Sequence, residues 1–283
     1  MRFIRTIPLV LLLAMHGSSD AQALQAQPQT APVFRLGNAE IVVPWPDGYM
    51  DIAVAEPSIA ARGLVRDRPN VRYVAQYMSA DLLAASPEEA AGAASSDFFA
   101  LQVDRKAERS SATQQEFDSL RHALEITYGL GAKLDERIVA ADMPRAEKLL
   151  SERSHTDVKI NLVGRPRASV DVQQPNFVQF TFSYRISAVA FGKRTLLDVV
   201  TSTGALFIKG QIVMLRRLRL GPGGDEMDFA RKGLSGWATQ VLASNLEAPI
   251  RWRCSASSGL SPTSAYRIHV ASVAAHVVRI EVL

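Results

Sequence analysis

The sequence has little of what covalent cross-links and metal sites require. Cys254 is the one cysteine among 283 residues, so no internal disulfide can form. Four of the five histidines lie beyond residue 23, and none of them has a histidine, cysteine or acidic residue at metal-ligand spacing. We therefore expect no bound metal, no cofactor and a fold that is held by packing alone.

A strong charge of one sign and a late hydrophobic run are also missing. The chain carries 32 basic and 28 acidic side chains, and the formal net charge of +4 is too mild to indicate nucleic acid as a partner. After the N-terminal segment, no apolar run approaches the ~20 residues that a membrane-spanning helix needs. We expect neither a nucleic-acid partner nor, once the N-terminal segment is removed, a transmembrane anchor.

Residues 1–23 have the three-part layout of a secretory signal peptide. Arg2 and Arg5 give a basic start, residues 7–15 form a short apolar core, and AQA at 21–23 is a small-residue cleavage site. No cysteine follows the apolar core, which argues against lipid attachment. We expect cleavage at this site and export, to the periplasm in a Gram-negative cell.

Composition divides the remaining chain into three segments. Residues 24–32 are rich in Gln, Ala and Pro without an apolar period, which predicts a flexible leader. Residues 33–247 are expected to form a single domain. Residues 248–283 are rich in Ser, Ala, Arg and Val and lack Lys and Asp. This atypical tail either adds strands at 266–270 and 276–282 or is an extension outside the domain.

Strand patterns recur along the domain. We predict strands at 40–43, 71–78, 97–104, 158–162, 178–186, 195–201 and 205–220, the last two joined through residues 202–204. The clearest is 178–186, whose apolar side chains share one face: Val178, Phe180, Phe182, Tyr184 and Ile186. Its polar side chains share the other: Gln179, Thr181, Ser183 and Arg185. One buried and one water-facing side are typical of an antiparallel sheet that is backed by helices.

Helix patterns are interspersed with these strands. Residues 113–116 (TQQE) form a capping box, and the helix that it opens carries inward apolar residues at spacings of three and four: Phe117, Leu120, Leu124 and Tyr128. Further helices are expected at 80–85, at 134–152 with an interruption at Pro144, and from Asp225 onward. The last one would bury Met227, Ala230, Leu234, Trp237, Val241 and Leu242. This order predicts an α+β fold, an antiparallel or mixed sheet with helices packed against it.

Motifs for catalysis are weak. Residues 233–236 (GLSG) lack the spacing of a nucleophile elbow and lie in a predicted helix. Gly192 and Lys193 have no preceding glycine-rich loop to bind phosphate, so a hairpin turn with basic flanks is the better interpretation. The sequence therefore offers no catalytic residues.

Two segments stand out as a candidate binding surface. Residues 44–49 (PWPDGY) end a strand with a Pro-Asp-Gly turn, and Trp45 and Tyr49 either fold over the sheet edge or line a ligand site. Arg216, Arg217 and Arg219 form the one local cation cluster. They are either a surface strand end or a contact for an anionic partner.

Three elements of the chain resemble a known class. They are the strand that closes in PWPDGY at 44–49, the segment RYVAQY at 72–77, and a final helix with Trp237 and a closing Asn245. Together they resemble exported bacterial proteins of the Mog1/PsbP-like α/β class over residues 33–245 in element order. The resemblance implies an αβα sandwich around an antiparallel sheet. It also implies action by binding other proteins, with no catalytic residue set to transfer.

Three functions are compatible with these observations. The leading hypothesis is a non-enzymatic periplasmic protein that binds another cell-envelope component. The second is a small-molecule or lipid-binding protein, with Phe180, Phe182, Tyr184, Trp45 and Tyr49 around a pocket. A hydrolase is the third, because catalytic groups can converge from distant positions without a local motif.

Overall fold

The computed structural model describes residues 31–55, 70–79, 81, 96–128, 143–144, 147–148, 151, 156–190, 192–221 and 226–246. The strands are β1 Val33–Leu36, β2 Ala39–Val42, β3 Tyr49–Asp51, β4 Val71–Ser79, β5 Ser96–Asp104, β6 Lys159–Gln174, β7 Phe177–Ala190, β8 Lys193–Ile208 and β9 Gln211–Gly221. The helices are α1 Ile52–Ala55, α2 Gln114–Tyr128 and α3 Met227–Asn245, with a short 3₁₀ turn at Ala107–Arg109.

Seven strands form one sheet in the order β3-β4-β5-β9-β8-β7-β6, and β1 and β2 form a separate hairpin. Every neighbouring pair is antiparallel. The long strands β7, β8 and β9 follow one another through tight turns, which fixes their register along most of their length. The predicted α+β class is confirmed, and the sheet is antiparallel rather than mixed.

Helices lie on both faces of this sheet. α2 buries Phe117, Leu120 and Leu124 in one core, together with Phe180 and Phe182 of β7. α3 packs on the opposite face, in a second core that it shares with β1, β2, β4, β5 and β9. Because residues in a strand alternate between faces, a sheet with apolar side chains on both sides needs cover on both. The result is the expected three-layer αβα arrangement.

The capping box at the start of α2 is confirmed. The Glu116 N–H donates to Thr113 Oγ1 (3.2 Å), and the Thr113 N–H donates to Glu116 Oε2 (2.8 Å). These two bonds satisfy backbone donors that have no partner within the helix. The predicted inward residues of α2 and five of the six predicted for α3 are buried, whereas Leu242 is half-buried.

Two expectations about the strands are wrong, and two strands were not predicted. Gln179 and Thr181 are fully buried rather than in water, because α3 covers their face of the sheet. Residues 202–204 lie inside β8, and the hairpin to β9 turns at Lys209 and Gly210, whose φ values of 48° and 74° are left-handed. The strands β1 and β3 are missing from the predicted set, and β4 contains a bulge between Tyr73 and Ala75.

Several predicted segments lie outside the described residues. They are the signal peptide at 1–23, nearly all of the leader at 24–32, the tail at 248–283, and most of the helices expected at 80–85 and 134–152. The Asp225 cap is also outside this part of the chain, so these expectations stay predictions. Among the described residues, no helix is both long enough and apolar enough to cross a membrane.

Candidate functional site

Arg217 on β9 is the centre of a buried charge cluster. Its Nε donates to Asp97 Oδ1 (3.0 Å) and its Nη2 donates to Asp97 Oδ2 (2.6 Å), so the two groups form a bidentate ion pair. The side chains of Arg217 and Asp97 are 4% and 14% exposed. Nη1 donates to the Phe229 carbonyl (3.0 Å). The guanidinium is therefore held by internal partners from β5 and α3.

Aromatic rings surround the same guanidinium. Arg217 Cζ lies 4.8 Å from the ring centroid of Phe99 and 4.0 Å from that of Phe229. Arg219 Cζ lies 4.4 Å from the Phe229 ring, and its guanidinium pairs with Glu226. Each such contact between a cation and an aromatic face is attractive. Phe229 is 49% exposed, so the cluster reaches the surface at this ring.

Tyr49 joins the cluster through its hydroxyl. That group donates to Asp97 Oδ2 (2.8 Å) and lies 3.2 Å from Arg217 Nη2. Burial, reinforced by the Asp97 carboxylate, raises the pKa of Tyr49 to about 12. The phenol therefore stays protonated at neutral pH and acts as a structural donor. Trp45 lies nearby over the same core, with its ring centroid 6.5 Å from that of Tyr77.

The structure brings together some of the predicted binding residues and separates others. Tyr49, Arg217 and Arg219 gather around Asp97, whereas Arg216 faces the opposite side of β9. Arg216 and Arg217 are 7% and 3% exposed, so the interpretation of this run as a surface strand end is wrong for both. The reason is topological, because β9 lies between β5 and β8 inside the sheet. A role of these residues in binding a partner stays a prediction.

The pocket expected beside Phe180, Phe182 and Tyr184 is filled by protein. These side chains are 0%, 2% and 4% exposed. The Tyr128 ring of α2 stacks on Phe180 with centroids 4.6 Å apart. The aromatic face of β7 is therefore part of the core beneath α2.

A second polar cluster lies between the sheet and α3. Asp171 on β6 accepts hydrogen bonds from Ser169 (2.6 Å) and Thr181, and its Oδ1 lies 2.9 Å from Arg231 Nε. Burial raises the pKa of Asp171, although these partners oppose the shift. Thr181 also bonds to Ser202 (2.8 Å), which is fully buried. Because α3 covers Thr181 and Ser202, and Arg231 of this helix pairs with Asp171, the cluster fastens the helix to the sheet.

An open cleft of about 290 Å³ lies at the N-terminal end of α3. Its basic lining comes from Arg165, Arg167 and Arg185. An irregularity in β6 shapes it, because residues 164–166 face a single residue of β7 between the pairs Val163–Arg185 and Arg167–Ser183. Gly164 permits this break with a φ of 76°.

The sheet continues past the cleft, beyond the start of α3. Cross-strand pairing places Lys159, Val189 and Arg194 in one row and Asn161, Ser187 and Leu196 in the next. A third row holds Val163, Arg185 and Asp198. We call these nine residues the basic face. Lys159, Arg185 and Arg194 are exposed, and Leu196 is 48% exposed.

Sequence reasoning missed the cleft and the basic face. The arginines that define them are spread over three strands, and only strand register brings them together. One local pattern could have indicated the cleft. Gly164 and Pro166 interrupt an otherwise regular strand pattern, and these residue types within a strand are typical of a bulge.

No protein-family model and no curated protein sequence matches this chain. Two solved structures are weakly similar to it. The Ran-binding protein Mog1p of Saccharomyces cerevisiae is 13% identical with a TM-score of 0.20, and the match covers 76% of this chain and 93% of that chain. A mutant of protein Mog1 is 14% identical with a TM-score of 0.21, and here the match covers 77% and 94% of the two chains. At such scores the α+β class is assigned from the chain's own strands and helices.

Proposed function

We propose that this protein is a non-enzymatic binding protein, exported to the periplasm, and that it binds an acidic protein of the cell envelope through the basic face. The observation that supports this function is the stretch of sheet beyond α3. There Lys159, Arg185 and Arg194 are exposed, and Asp198 is the one acidic residue among the nine of the face.

The balance of charge on this face favours a negatively charged partner. Arg185 is engaged with Asp198, since its Nε and Nη2 donate to the two carboxylate oxygens at 2.7 and 2.9 Å. Lys159 and Arg194 are then the charges that carry the attraction. The side chain of Lys159 is 60% exposed, and its Nζ lies 3.4 Å from Oδ1 of Asp157, whose side chain is 78% exposed. Complementary charge of this kind speeds encounter and selects among partners.

Leu196 gives the same face an apolar contact point. It lies between the charged rows and is 48% exposed. Interfaces typically combine an apolar centre with a polar rim. The basic face has that arrangement on a small scale.

Docking on the face is favoured over pairing with the edge of β6. Although β6 is the outer strand of the sheet, side chains occupy backbone groups near both of its ends. The Ile160 N–H donates to Glu147 Oε1 (2.7 Å), and Arg121 Nη1 donates to the Gln174 carbonyl (3.0 Å). The break at 164–166 interrupts the edge between them. Such features are a known protection against strand addition.

The test is recovery of a partner by a tagged mature chain from periplasmic extract. The Lys159→Glu/Arg194→Glu variant should lose the partner because both exposed charges are reversed. Arg35→Glu/Arg109→Glu is the matched control, since it makes the same change in net charge at exposed residues of β1 and the 3₁₀ turn. Melting curves should show that both variants fold.

The supporting result has three parts. One acidic protein is recovered by the wild type and the control, it is lost with the face variant, and its purified form rebinds less tightly as salt is raised. Equal recovery by the face variant and the control would contradict the proposal. So would turnover of ester or phosphate substrates that a single substitution abolishes.

A further inference from the structure

The cleft beside residues 164–166 has the features of a small-ligand site that borders the basic face and shares the row Val163–Arg185–Asp198 with it. It lies between two cross-strand rows, Val163–Arg185–Asp198 and Arg167–Ser183–Val200, and Met227 of α3 closes one side. Its volume of about 290 Å³ is far larger than the ~30 Å³ of a single water and close to the small end of ligand pockets.

The ion pairs in the cleft leave part of its positive charge available to a ligand. Of its two carboxylates, Asp198 is held by Arg185 and Glu226 is paired with Arg219. Arg167 is exposed and makes no hydrogen bond or ion pair with any residue that the structure describes. Arg185 uses only two of its five N–H donors on Asp198. The unmatched charge of Arg167 therefore faces a space that a ligand can enter.

The number and type of these groups favour a phosphate over a carboxylate. One guanidinium saturates a planar carboxylate, as Arg185 does with Asp198. Arg167, together with the N–H donors of Arg185 that Asp198 leaves unused, suits an oxyanion with more oxygens than a carboxylate has. Val163, Val200 and Met227 supply an apolar wall for the organic part of the same ligand.

We propose that this cleft binds a phosphate ester of about the size of a lipid headgroup, with Arg167 as the principal contact to the phosphate. The free ester and the headgroup of an anionic phospholipid present the same chemistry. The site requires neither the acidic partner nor the basic face residues Lys159 and Arg194.

The experiment measures two probes against three proteins. The probes are glycerol 3-phosphate, by calorimetry, and phosphatidylglycerol/phosphatidylcholine vesicles, by co-sedimentation, with pure phosphatidylcholine vesicles as the uncharged reference. The proteins are the wild type, Arg167→Gln and the matched control Arg35→Gln, which removes an equal charge from an exposed position on β1. Loss of a charged hydrogen bond should weaken binding by about tenfold or more in Arg167→Gln alone.

Each outcome decides the proposal. Binding of glycerol 3-phosphate that Arg167→Gln weakens supports it with a free ester as the source. Binding of the anionic vesicles alone, again weakened by Arg167→Gln and not by Arg35→Gln, supports it with a lipid headgroup as the source. If neither probe binds, or if the two variants behave alike, the proposal is overturned. Such a result would not affect the acidic-partner proposal, because that proposal is tested by substitutions at Lys159 and Arg194.

Discussion

Gly233 lies in α3 directly against the guanidinium of Arg217. A Cβ at this position would overlap Arg217 Nη1 and lie 2.8 Å from Cζ. The guanidinium has little room to withdraw, because Asp97 and the Phe229 carbonyl hold it. A glycine inside a helix costs about 1 kcal/mol relative to alanine. Here the missing side chain makes room for a buried ion pair that fastens α3 to β5 and β9.

Alanine substitutions at two glycines of α3 should change the free energy of unfolding in opposite directions. Gly233→Ala should lower the free energy of unfolding by roughly 2 to 4 kcal/mol, because it overpacks the site and breaks the Arg217–Asp97 pair. Gly236→Ala should raise it by up to about 1 kcal/mol, since nothing lies within 4 Å of its added Cβ. Urea unfolding of both variants measures the difference. A shift of equal sign in both would show that Arg217 moves aside freely.

The burial of Arg217 could not be predicted from the sequence around it. The local run of three arginines within 216–219 is typical of a solvated strand end. Its partner Asp97 lies 120 residues earlier, on a strand that neighbours β9 only in the folded sheet. Tyr49 was predicted either to fold over the sheet edge or to line a ligand site, and its hydroxyl bond to Asp97 depends on the same long-range pairing.

At the scale of elements, the side chain of Asn245 at the end of α3 makes the two backbone hydrogen bonds to β2 that a neighbouring strand would otherwise make. Its Nδ2 donates to the Val42 carbonyl (2.6 Å), and its Oδ1 accepts from the Val42 N–H (2.9 Å). Trp237 Nε1 donates to the Pro44 carbonyl (2.7 Å) just beyond the strand. One helix thus holds both the β1–β2 hairpin and the chain that leaves it.

Asn245→Leu tests this attachment. The change keeps the number of side-chain heavy atoms and the branch at Cγ but leaves both Val42 backbone groups without this partner, which should lower stability by about 2 kcal/mol. Hydrogen exchange at the Val42 amide should accelerate more than exchange at amides of β8. Gln240→Leu is the control, because its contact with Asp47 at 3.2 Å is exposed and should matter little. Unchanged protection of Val42 would contradict the attachment.

The spacing of apolar residues predicted these helices and strands well, but it did not predict all of the connections between them. β5, β7, α2 and α3 were found because their apolar side chains recur at strand or helix spacing. Gly204 was interpreted as part of the connection between two strands, yet it lies within β8. A Cβ there would come 2.7 Å from the Phe177 ring, so the glycine makes room for that ring. A glycine that makes room for a neighbour and a glycine that turns the chain look alike in sequence. The basic face and the cleft were missed because they depend on the resulting register.

Across the whole molecule, both faces of the sheet combine an apolar core with buried polar side chains. On the α2 side, Phe180 lies in one cross-strand row with Thr203 and Arg216, which are 6% and 7% exposed. The α3 side combines an apolar core with buried polar groups, among them the side chain of Asp171, which is 1% exposed, and Gln179, which donates to the Arg231 carbonyl (2.9 Å). Asp51, the last residue of the edge strand β3, carries a further carboxyl and is 9% exposed. Global stability should therefore depend on the ionisation of a few carboxyls.

Burial raises the pKa of Asp51 and of Asp171 above the ordinary value of 3.8. The folded protein therefore binds these protons more tightly than the unfolded chain does. Their contribution to stability is present below the ordinary pKa and is lost as pH rises through the raised, folded-state values.

Between about pH 3.5 and pH 7, the wild type should thus lose stability relative to Asp51→Asn/Asp171→Asn as pH increases. The altered hydrogen bonds of the double variant add a constant offset between the two curves. Urea unfolding of the wild type and the double variant at several pH values measures this slope. Parallel curves for the two proteins would mean that neither buried carboxyl changes its proton affinity on folding.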